Sequence, residues 1–516
     1  MKNCINLFLC FIFCQLILAQ DSKNKVALNE KDLIQLTILQ FNDFYEISPL
    51  EGGKTGGAAR IATIRKKLLA ENPNTFTVLS GDFLSPTLLG TLKYNGERVN
   101  GKQMIEVLNK IGVDLVTFGN HEFDIDEASL QKRINESAFD WVSSNVIHLN
   151  KDTAQLFYKE ADGKKADIPK NRIIKFKNKN GKEIRIGIVA PCLPANKVKY
   201  VHYDDIFETV KTEIEKLQGK VDFIISLSHL SKDDDLKMAK MFPKINLILG
   251  GHEHENMKFQ EGNTILTKAD ANAKTVYVHR ISYNSQSKKI NINSNLVKLD
   301  ETIIPDPEVN VIVEKWKAIE NKIVREMGFD PDEVLTNLST PYDAREVILR
   351  NEPAAFCEMI CKAMTKGTSL THCSIMNSGS VRVDDILKDK LSQYDILRSL
   401  PFGGGVIEVD MRGTLLNKIL EAGWANKGAG GFLQWDKIVR DKDGKWFVGK
   451  ELLDDKKTYH VAMNDFLLTG LESGLEFLKK GNPDILIYYP PRKDDPDDLR
   501  NDIRMIVIDY LKKGGR

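Results

Sequence analysis

From residue 33 to about residue 295, short apolar runs alternate with amphipathic stretches along the chain. Stretches with helical spacing, such as GGAARIATIRKKLLAEN and FETVKTEIEKLQ, separate the runs, and TVYVHRISYNSQSKKINI predicts a closing hairpin. This alternation predicts an α/β fold rather than an all-β fold. The runs that predict strands are LIQLTILQF (33–41), TFTVLS (75–80), VDLVTF (113–118), IRIGIVA (184–190), VDFIISLS (221–228) and INLILG (245–250).

The pattern changes after residue 300. ETIIPDPEVN carries two prolines and leads into VIVEKWKAIENKIVREM, a long amphipathic stretch. Because a chain of 516 residues is too long for one hydrophobic core, we predict a first α/β domain over residues 31–300, a helical linker over 305–334 and a second α/β domain over 335–516.

Composition and charge agree with packed globular domains. Hydrophobic residues make up 42% of the chain and charged residues 28%. The 73 Lys and Arg residues nearly balance the 72 Asp and Glu residues, so there is no strong positive field and we predict no nucleic-acid partner. The sequence carries no signal of an oligomeric state.

The first residues, MKNCINLFLCFIFCQLILAQ, have the layout of a secretory signal peptide over residues 1–19, with cleavage after Ala19. The alternative is an uncleaved membrane anchor, for which the apolar run is short. The end of the chain, DYLKKGGR, has no hydrophobic tail of the kind that precedes lipid anchoring. We therefore expect a secreted or lumenal protein with no stable membrane anchor.

Four cysteines follow the predicted leader. In an oxidising compartment an even number favours a disulfide, and we expect Cys361 to pair with Cys373. Alternatively, Cys357 and Cys361, one helical turn apart, are small buried apolar side chains.

Polar side chains follow the apolar runs of the first domain. Taken singly, a histidine at a strand end is usually structural and a Gly-Asp pair is usually a turn. In an open α/β sheet, however, the carboxyl ends of the strands converge on one crevice. Four of the nine histidines fall in such positions, and together the set predicts a metal site. Its members are Asp43, Asp82, Asn120, His121, Asp124, His229, His252 and His254.

Oxygen and nitrogen ligands without thiolates suit two borderline cations, for which we consider Zn²⁺, Mn²⁺, Co²⁺ and Fe. A carboxylate has two oxygens and can bridge a pair of ions in two-metal hydrolysis. Asp82 is the candidate for the bridge.

The spaced order ND…GD…GNHEFD…SH…GGHEH resembles that of the 5'-nucleotidase family of dinuclear metallophosphoesterases, over nearly the whole mature chain. The resemblance implies an N-terminal metallophosphoesterase α/β sandwich, a helical linker and a C-terminal α/β domain that binds substrate. By position it also implies the role of each candidate. Asp43, Asp82 and His254 would bind one metal, and Asp82, Asn120, His229 and His252 would bind the other. His121 and Asp124 would form the catalytic pair.

One position departs from the family's pattern. Where the family usually has a histidine two residues after the first aspartate, this chain has Tyr45. Three interpretations stay open: Tyr45 is a ligand, Glu46 takes the place, or water fills it. Because a tyrosine has a reference pKa near 10, a phenolate ligand is favoured mainly by a strongly polarising ion such as Fe³⁺.

The resemblance continues in the second domain, where the family binds its nucleotide. NSGSVR places Asn377 and Arg382, LPFGG places Phe402, NDFLLTG places Phe466, and Arg350 in LRNEP is a further candidate for phosphate. Aromatic rings can stack on a base and an arginine fork suits phosphate, although without the resemblance both Phe residues read as core aromatics.

TGLESGLEF departs from the family in the same region, since Glu472 or Ser473 stands where an aspartate is expected to hold the ribose. The resemblance implies a secreted metal-dependent phosphohydrolase, and we predict a 5'-nucleotidase that cleaves nucleoside 5'-monophosphates, with a hinge rotation joining the domains. The alternatives are hydrolysis of UDP-sugars, di- or triphosphates or 2',3'-cyclic nucleotides, and a secreted nucleotide-binding protein without turnover.

Overall fold

The computed structural model describes residues 30–151, 153–195, 198–369 and 371–515. The predicted leader, with its cleavage point after Ala19, lies outside the described residues. Within the described part of the chain, no helix combines the length and the apolar character needed to cross a membrane.

The first domain contains two six-stranded sheets, each parallel in the middle and antiparallel at one or both edges. The order of the first sheet is Ile290–Lys298, Thr275–Asn284, Leu33–Phe41, Thr75–Leu79, Leu115–Val116 and Asp140–Trp141. The order of the second sheet is Asn171–Lys177, Glu183–Val189, Phe223–Leu227, Ile245–Gly250, Thr264–Lys268 and Met257–Glu261.

The two sheets face each other across an apolar layer. Ile38 of the first sheet and Ile186 and Ile225 of the second belong to this shared core, while Leu39 points the other way, into the core beneath the helices. Burial on both faces explains the near-continuous apolar runs. The domain is thus an α/β sandwich, as the resemblance implies, and the polar strand ends come from two sheets rather than from one open sheet.

Helices cover the outer faces of the two sheets. The helices of the first domain are Ala58–Glu71, Leu88–Thr91, Lys102–Ile111, Glu127–Glu136, Ile206–Leu217 and Lys232–Met241. Its shorter strands are Lys93–Tyr94, Glu97–Arg98, Val146–Asn150, Thr153–Gln155, Tyr158–Ala161, Lys164–Asp167 and Val201–Tyr203.

A connector helix, Pro307–Glu326, joins the two domains. Asp306 caps it by accepting hydrogen bonds from two backbone N–H groups of the first turn, and proline stands at the first helical positions, where its missing N–H costs nothing. Trp316 packs into the core of the first domain and Val324 into that of the second. The linker predicted over 305–334 therefore contains one helix anchored in both cores.

The second domain is built on a five-stranded mixed sheet, in the order Leu433–Asp436, Cys373–Asn377, Thr458–Asn464, Val406–Arg412 and Ile485–Tyr489. Its helices are Glu346–Leu349, Ala355–Gly367, Gln393–Ser399, Gly413–Ala425 and Ile503–Lys512. Its other strands are Val334–Asn337, Tyr342–Asp343, Ile386–Leu387, Lys390–Ser392, Ile438–Arg440, Trp446–Val448 and Glu451–Leu452.

The predicted disulfide is wrong in this structure. All four described cysteines are free and buried. Cys373 is on a strand of the five-stranded sheet and points into the core on one face of that sheet. Cys361 is on the helix Ala355–Gly367, which packs in the core on the opposite face. The alternative, that Cys357 and Cys361 are buried apolar side chains, fits their place in the helix Ala355–Gly367.

Candidate metal centre and substrate pocket

The strand ends turn sharply where the predicted ligands lie. Asp43, Asp82, His252 and His254 all have positive φ angles, of 49°, 55°, 93° and 60°. Such angles are uncommon for residues with a side chain and tend to occur at functional sites. These turns bring residues from both sheets to one end of the sandwich.

Three of the predicted ligands form a tight, buried cluster. The imidazole Nε2 of His229 lies 3.1 Å from Asp82 Oδ2 and 4.0 Å from Asp43 Oδ1, and all three side chains are at most 1% exposed. One ligand atom from each lies within 4.8 Å of the others. The His252 ring is next to this cluster, with its centroid 5.5 Å from that of His229.

Two buried polar atoms test whether the cluster suits a cation. Asn120 Oδ1 has no hydrogen-bond partner among the described residues, and His229 Nε2, although 3.1 Å from Asp82 Oδ2, does not have the geometry of a hydrogen bond to it; such buried atoms are costly when left unpaired. His229 Nδ1 lies 2.7 Å from the carbonyl oxygen of Ser80; this bond keeps one ring proton on Nδ1, so that Nε2 is the atom that can exchange its proton for a metal. The donor set fits a cation.

The charges in the cluster are strongly coupled. Burial alone would raise the pKa of Asp82, but the charges of His229 and His121 hold it far below its ordinary value. Burial alone would lower the pKa of His229, but Asp82 raises it to about 9. Burial and the positive His229 lower the pKa of His252 to about 3, so its ring is neutral and can act as a ligand.

Small residues allow this close packing. A Cβ on Gly119 would lie 2.1 Å from Asp82 Oδ1, so only glycine fits before Asn120 in the GNH motif. A Cβ on Gly251 would lie 2.4 Å from the carbonyl oxygen of Ser80. The glycines of GNH and GGH are therefore required by the approach of neighbouring loops.

Sequence reasoning missed Glu122, the residue after His121. Its buried carboxylate accepts hydrogen bonds from the backbone N–H groups of Asp82, Phe83, Leu84 and Gly119, at 2.6–3.1 Å. It thereby joins the loop that carries Asp82 to the loop that carries Asn120. The sequence feature that could have indicated Glu122 is its position inside GNHEFD, between the predicted site residues His121 and Asp124.

The predicted catalytic pair is in contact. His121 Nδ1 donates to Asp124 Oδ2 at 2.7 Å, and the backbone N–H of His121 donates to Asp82 Oδ1 at 2.7 Å. Burial alone would lower the pKa of His121, but the charges of Asp124 and Asp82 raise it. The pair is thus fixed beside the metal cluster with a ring that favours its charged form.

Tyr45 lies inside the cluster rather than beside it. Its hydroxyl is 3.1 Å from Asp82 Oδ2, 3.3 Å from Asp43 Oδ1 and 3.0 Å from His254 Nε2. The Glu46 carboxylate is directed elsewhere and accepts a hydrogen bond of 3.3 Å from the hydroxyl of Thr87.

The second domain also reaches this cluster, which the sequence did not predict. Asp384 Oδ2 lies 3.1 Å from His254 Nδ1, and Glu346 Oε2 lies 3.5 Å from the same atom. The Lys274 ammonium of the first domain donates to the carbonyl oxygen of Asp384 at 3.0 Å. Asp384 is the second residue after the NSGSVR segment, which was the available signal.

A cavity of about 850 Å³ opens between the two domains. Its lining includes Asp124 from the first domain and the predicted substrate residues Asn377, Arg382, Phe402 and Phe466 from the second. The two rings are 53% and 39% exposed, so they are not core aromatics. A base could lie against them, with its phosphate towards the catalytic pair.

Two neighbouring residues modify the pocket. Asn377 Nδ2 donates to Glu472 Oε2 at 2.7 Å, so Glu472 lies in the lining where the family's aspartate is expected. Arg350 lies outside the lining and pairs with the carboxylate of Glu346. The same carboxylate lies 3.6 Å from Arg382 and 3.5 Å from His254 Nδ1, so Arg350 is linked through Glu346 to both the pocket and the cluster.

Comparison with known proteins places the chain among phosphoesterases. Residues 36–256 match the family described as calcineurin-like phosphoesterase, and residues 334–480 match the 5'-nucleotidase C-terminal domain. A snake venom 5'-nucleotidase of Naja atra is 23% identical over 93% of this chain and 96% of its own length. A trifunctional nucleotide phosphoesterase of Bacillus subtilis (strain 168) is 24% identical over 85% of this chain, which spans 32% of that protein.

Among solved structures, a 5'-nucleotidase precursor from Thermus thermophilus superposes with a TM-score of 0.72 at 20% identity, over 93% of this chain and 96% of that one. At this identity the likeness establishes the two-domain fold.

Proposed function

Because this chain belongs to the 5'-nucleotidase family of metallophosphoesterases and is a metal-dependent phosphoester hydrolase, we propose that it cleaves nucleoside 5'-monophosphates to nucleoside and phosphate. On the leader layout of residues 1–19, we further propose that it acts in a secreted or lumenal compartment.

The observation that carries the proposal is the cavity between the domains. Asp124, which holds His121, lines its first-domain side, and Phe402 and Phe466 line its second-domain side. A nucleoside monophosphate has a flat base at one end and a single phosphate at the other. The cavity has two aromatic rings on its second-domain side and, on its first-domain side, the carboxylate that holds the His121 imidazole.

We propose that Asp43, Asp82 and His254 hold one cation and that Asp82, Asn120, His229 and His252 hold another, with Zn²⁺, Mn²⁺, Co²⁺ or Fe as the ions. When bound, such a pair neutralises charge on the phosphoryl oxygens and activates water for in-line attack.

Two side chains of the protein would orient the phosphate and stabilise its negative charge. Asp124 accepts the hydrogen bond from His121 Nδ1, which leaves Nε2 of the charged ring to donate to a phosphoryl oxygen as negative charge develops. Arg382, beside Phe402 with its guanidinium carbon 5.8 Å from the ring centroid, supplies a second positive group on the opposite side of the cavity.

Other nucleotides form the second candidate class. Glu472 is longer than the aspartate expected at the ribose and is tied to Asn377, and the Bacillus relative is described as trifunctional. UDP-sugars, di- and triphosphates and 2',3'-cyclic nucleotides therefore remain competing substrates. A nucleotide-binding protein without turnover is a further alternative, which the contact between His121 and Asp124 disfavours.

The test is phosphate release from 5'-AMP by protein that has been stripped with a chelator and refilled with each ion in turn. UDP-glucose, ATP and 2',3'-cyclic AMP serve as competing substrates, and their products are separated by chromatography because cleavage of UDP-glucose or of the cyclic diester releases no inorganic phosphate. Hydrolysis of AMP with the highest kcat/KM supports the proposal. Faster hydrolysis of another nucleotide would reject the monophosphate assignment, and binding of AMP without hydrolysis of any substrate would support the binding protein.

A further inference from the structure

The substitution of Tyr45 for the family's usual histidine places a phenol among the predicted ligands of the first cation. The Tyr45 side chain is buried, with 7% exposed. Its backbone N–H donates to Asn272 Oδ1 at 3.0 Å, and its ring packs edge-on against the His254 ring with centroids 5.4 Å apart. The phenol is held in this position from two sides.

The phenol oxygen contacts three predicted ligand atoms. It lies 3.3 Å from Asp43 Oδ1, 3.1 Å from Asp82 Oδ2 and 3.0 Å from His254 Nε2, and His254 Nε2 lies 3.4 Å from Asp43 Oδ1. Two ligand atoms that are each about 2 Å from one metal ion lie about 3 Å from each other, which is the spacing between the phenol oxygen and its three neighbours.

Hydrogen bonding explains these separations less well. A phenol has one proton, and a ring nitrogen of histidine has at most one. Two protons cannot satisfy the four close contacts among Tyr45, Asp43, Asp82 and His254, and two carboxylate oxygens would face the phenol oxygen with one proton between them. A positive ion beside the phenol would attract its oxygen and the neighbouring carboxylate and imidazole atoms together.

We propose that Tyr45 is an oxygen ligand of the first cation, together with Asp43, Asp82 and His254, and that this subsite takes a trivalent iron ion. On binding, the phenol O–H bond breaks, a bond from oxygen to iron forms, and the proton leaves to solvent. A phenolate adds a negative charge to two carboxylates, which matches Fe³⁺ better than a divalent ion. The neighbouring subsite, with one bridging carboxylate, an amide and two imidazoles, keeps the character of a divalent site.

The inference deepens the proposed function, because both use Asp43, Asp82 and His254, but its readout is not turnover. Chelator-treated protein is refilled with iron under air, and its visible absorption spectrum and metal content per chain are measured. We expect a phenolate-to-iron charge-transfer band in the wild type. Tyr45→Phe, which keeps the ring and removes the oxygen, should lose the band and retain about one metal per chain instead of about two.

Tyr277→Phe is the matched control, since the Tyr277 hydroxyl donates only to the carbonyl oxygen of Met257, at 3.2 Å, away from the cluster. It should keep both the band and the metal content. Tyr45→His should lose the band and bind about two divalent ions, which also shows that the site still folds.

Iron bound without the band, or a band that persists in Tyr45→Phe, would overturn the inference. Uptake of zinc at both subsites in preference to iron would overturn the choice of ion. Failure to hydrolyse nucleotides while the band is present would reject the proposed function and leave Tyr45 as a ligand, so the two failures can be told apart.

Discussion

The candidate metal ligands and the second-domain wall of the cavity differ in how deeply their side chains are buried. Asp43, Asp82 and His229 are at most 1% exposed and lie among close-packed loops. Phe402 and Phe466, in contrast, are 53% and 39% exposed. The groups that would act on phosphorus are therefore preorganised, whereas the groups that would read the base have room to adjust.

The departures from the family's pattern follow the same division, with one exception. Glu472 lies in the second domain and in the lining of the cavity that we propose for the nucleotide. Tyr45 is the exception, because it changes the rigid cluster itself and so bears on the identity of the ion. If the proposed function holds, buried contacts set the chemistry and the more exposed residues set the choice of substrate.

The largest expected effect comes from Asp82→Asn, which removes the charge that His229, Tyr45 and the His121 backbone N–H all face. Since the variant has nearly the same shape, the fold should persist while kcat for phosphate release falls by about 10³-fold. Initial rates with AMP and metal content per chain measure this. The control is Asp233→Asn, on an aspartate 86% exposed, and equal rates in the two variants would contradict a role for Asp82.

A smaller effect should follow removal of the rings. Phe402→Ala and Phe466→Ala each lose a stacking contact of about 1–3 kcal/mol, which raises KM for AMP by about 5- to 150-fold. Hydrolysis of p-nitrophenyl phosphate, which has no base, should keep its kcat. Phe259→Ala is the matched control because Phe259 is 39% exposed on the first domain. An equal loss on both substrates would show that the rings act on the fold rather than on the base.

The meeting of Asp43, Asp82 and His229 was predictable because its signals are local. Five of the six apolar runs that predict strands are followed within a few residues by a candidate ligand, and the strands Leu33–Phe41 and Ile245–Gly250 match their runs in full. The two-sheet arrangement was not predictable from this pattern, since alternation of runs says nothing about which strands pair. The glycine of GNHEFD indicates the close approach of two loops, but nothing in the motif indicates the hydrogen bonds that Glu122 accepts.

The contacts between the domains could not be predicted from the sequence. His254 and Asp384 are 130 residues apart, and their meeting depends on how the connector helix sets one domain against the other. The predicted Cys361–Cys373 bond failed for a related reason, because closeness in sequence does not tell which face of a sheet a side chain occupies.

Asp384→Asn tests how far the rigid cluster depends on the second domain. Asp384 accepts from His254 Nδ1 and so fixes the ring that would bind metal through Nε2. Loss of such an outer partner lowers metal affinity by about 10- to 100-fold, which competition with a chelating dye measures. Asp389→Asn, an exposed aspartate on the same segment, should leave affinity unchanged. Unaltered affinity in Asp384→Asn would mean that the first domain holds its metals alone.

The smallest effect concerns the connector helix, where Glu320 is 5% exposed and accepts a hydrogen bond of 3.0 Å from the Tyr394 hydroxyl of the second domain. Burial, with the charge of Glu46 adding to it, raises the pKa of Glu320 from 4.5 to about 8. Between these values the folded chain holds a proton that the unfolded chain has released. The free energy of unfolding should therefore fall as the pH rises through this window, by up to about 1.4 kcal/mol per pH unit.

Urea unfolding of the wild type and Glu320→Gln between about pH 5 and pH 8 measures this contribution. The glutamine cannot ionise, so the variant's stability should depend less on pH, and its advantage over the wild type should be greatest at the alkaline end. Glu314→Gln, on the exposed side of the same helix, should follow the wild type. Parallel pH curves for the wild type and Glu320→Gln would mean that water reaches this carboxyl and that the contact between the domains is looser than the burial of Glu320 implies.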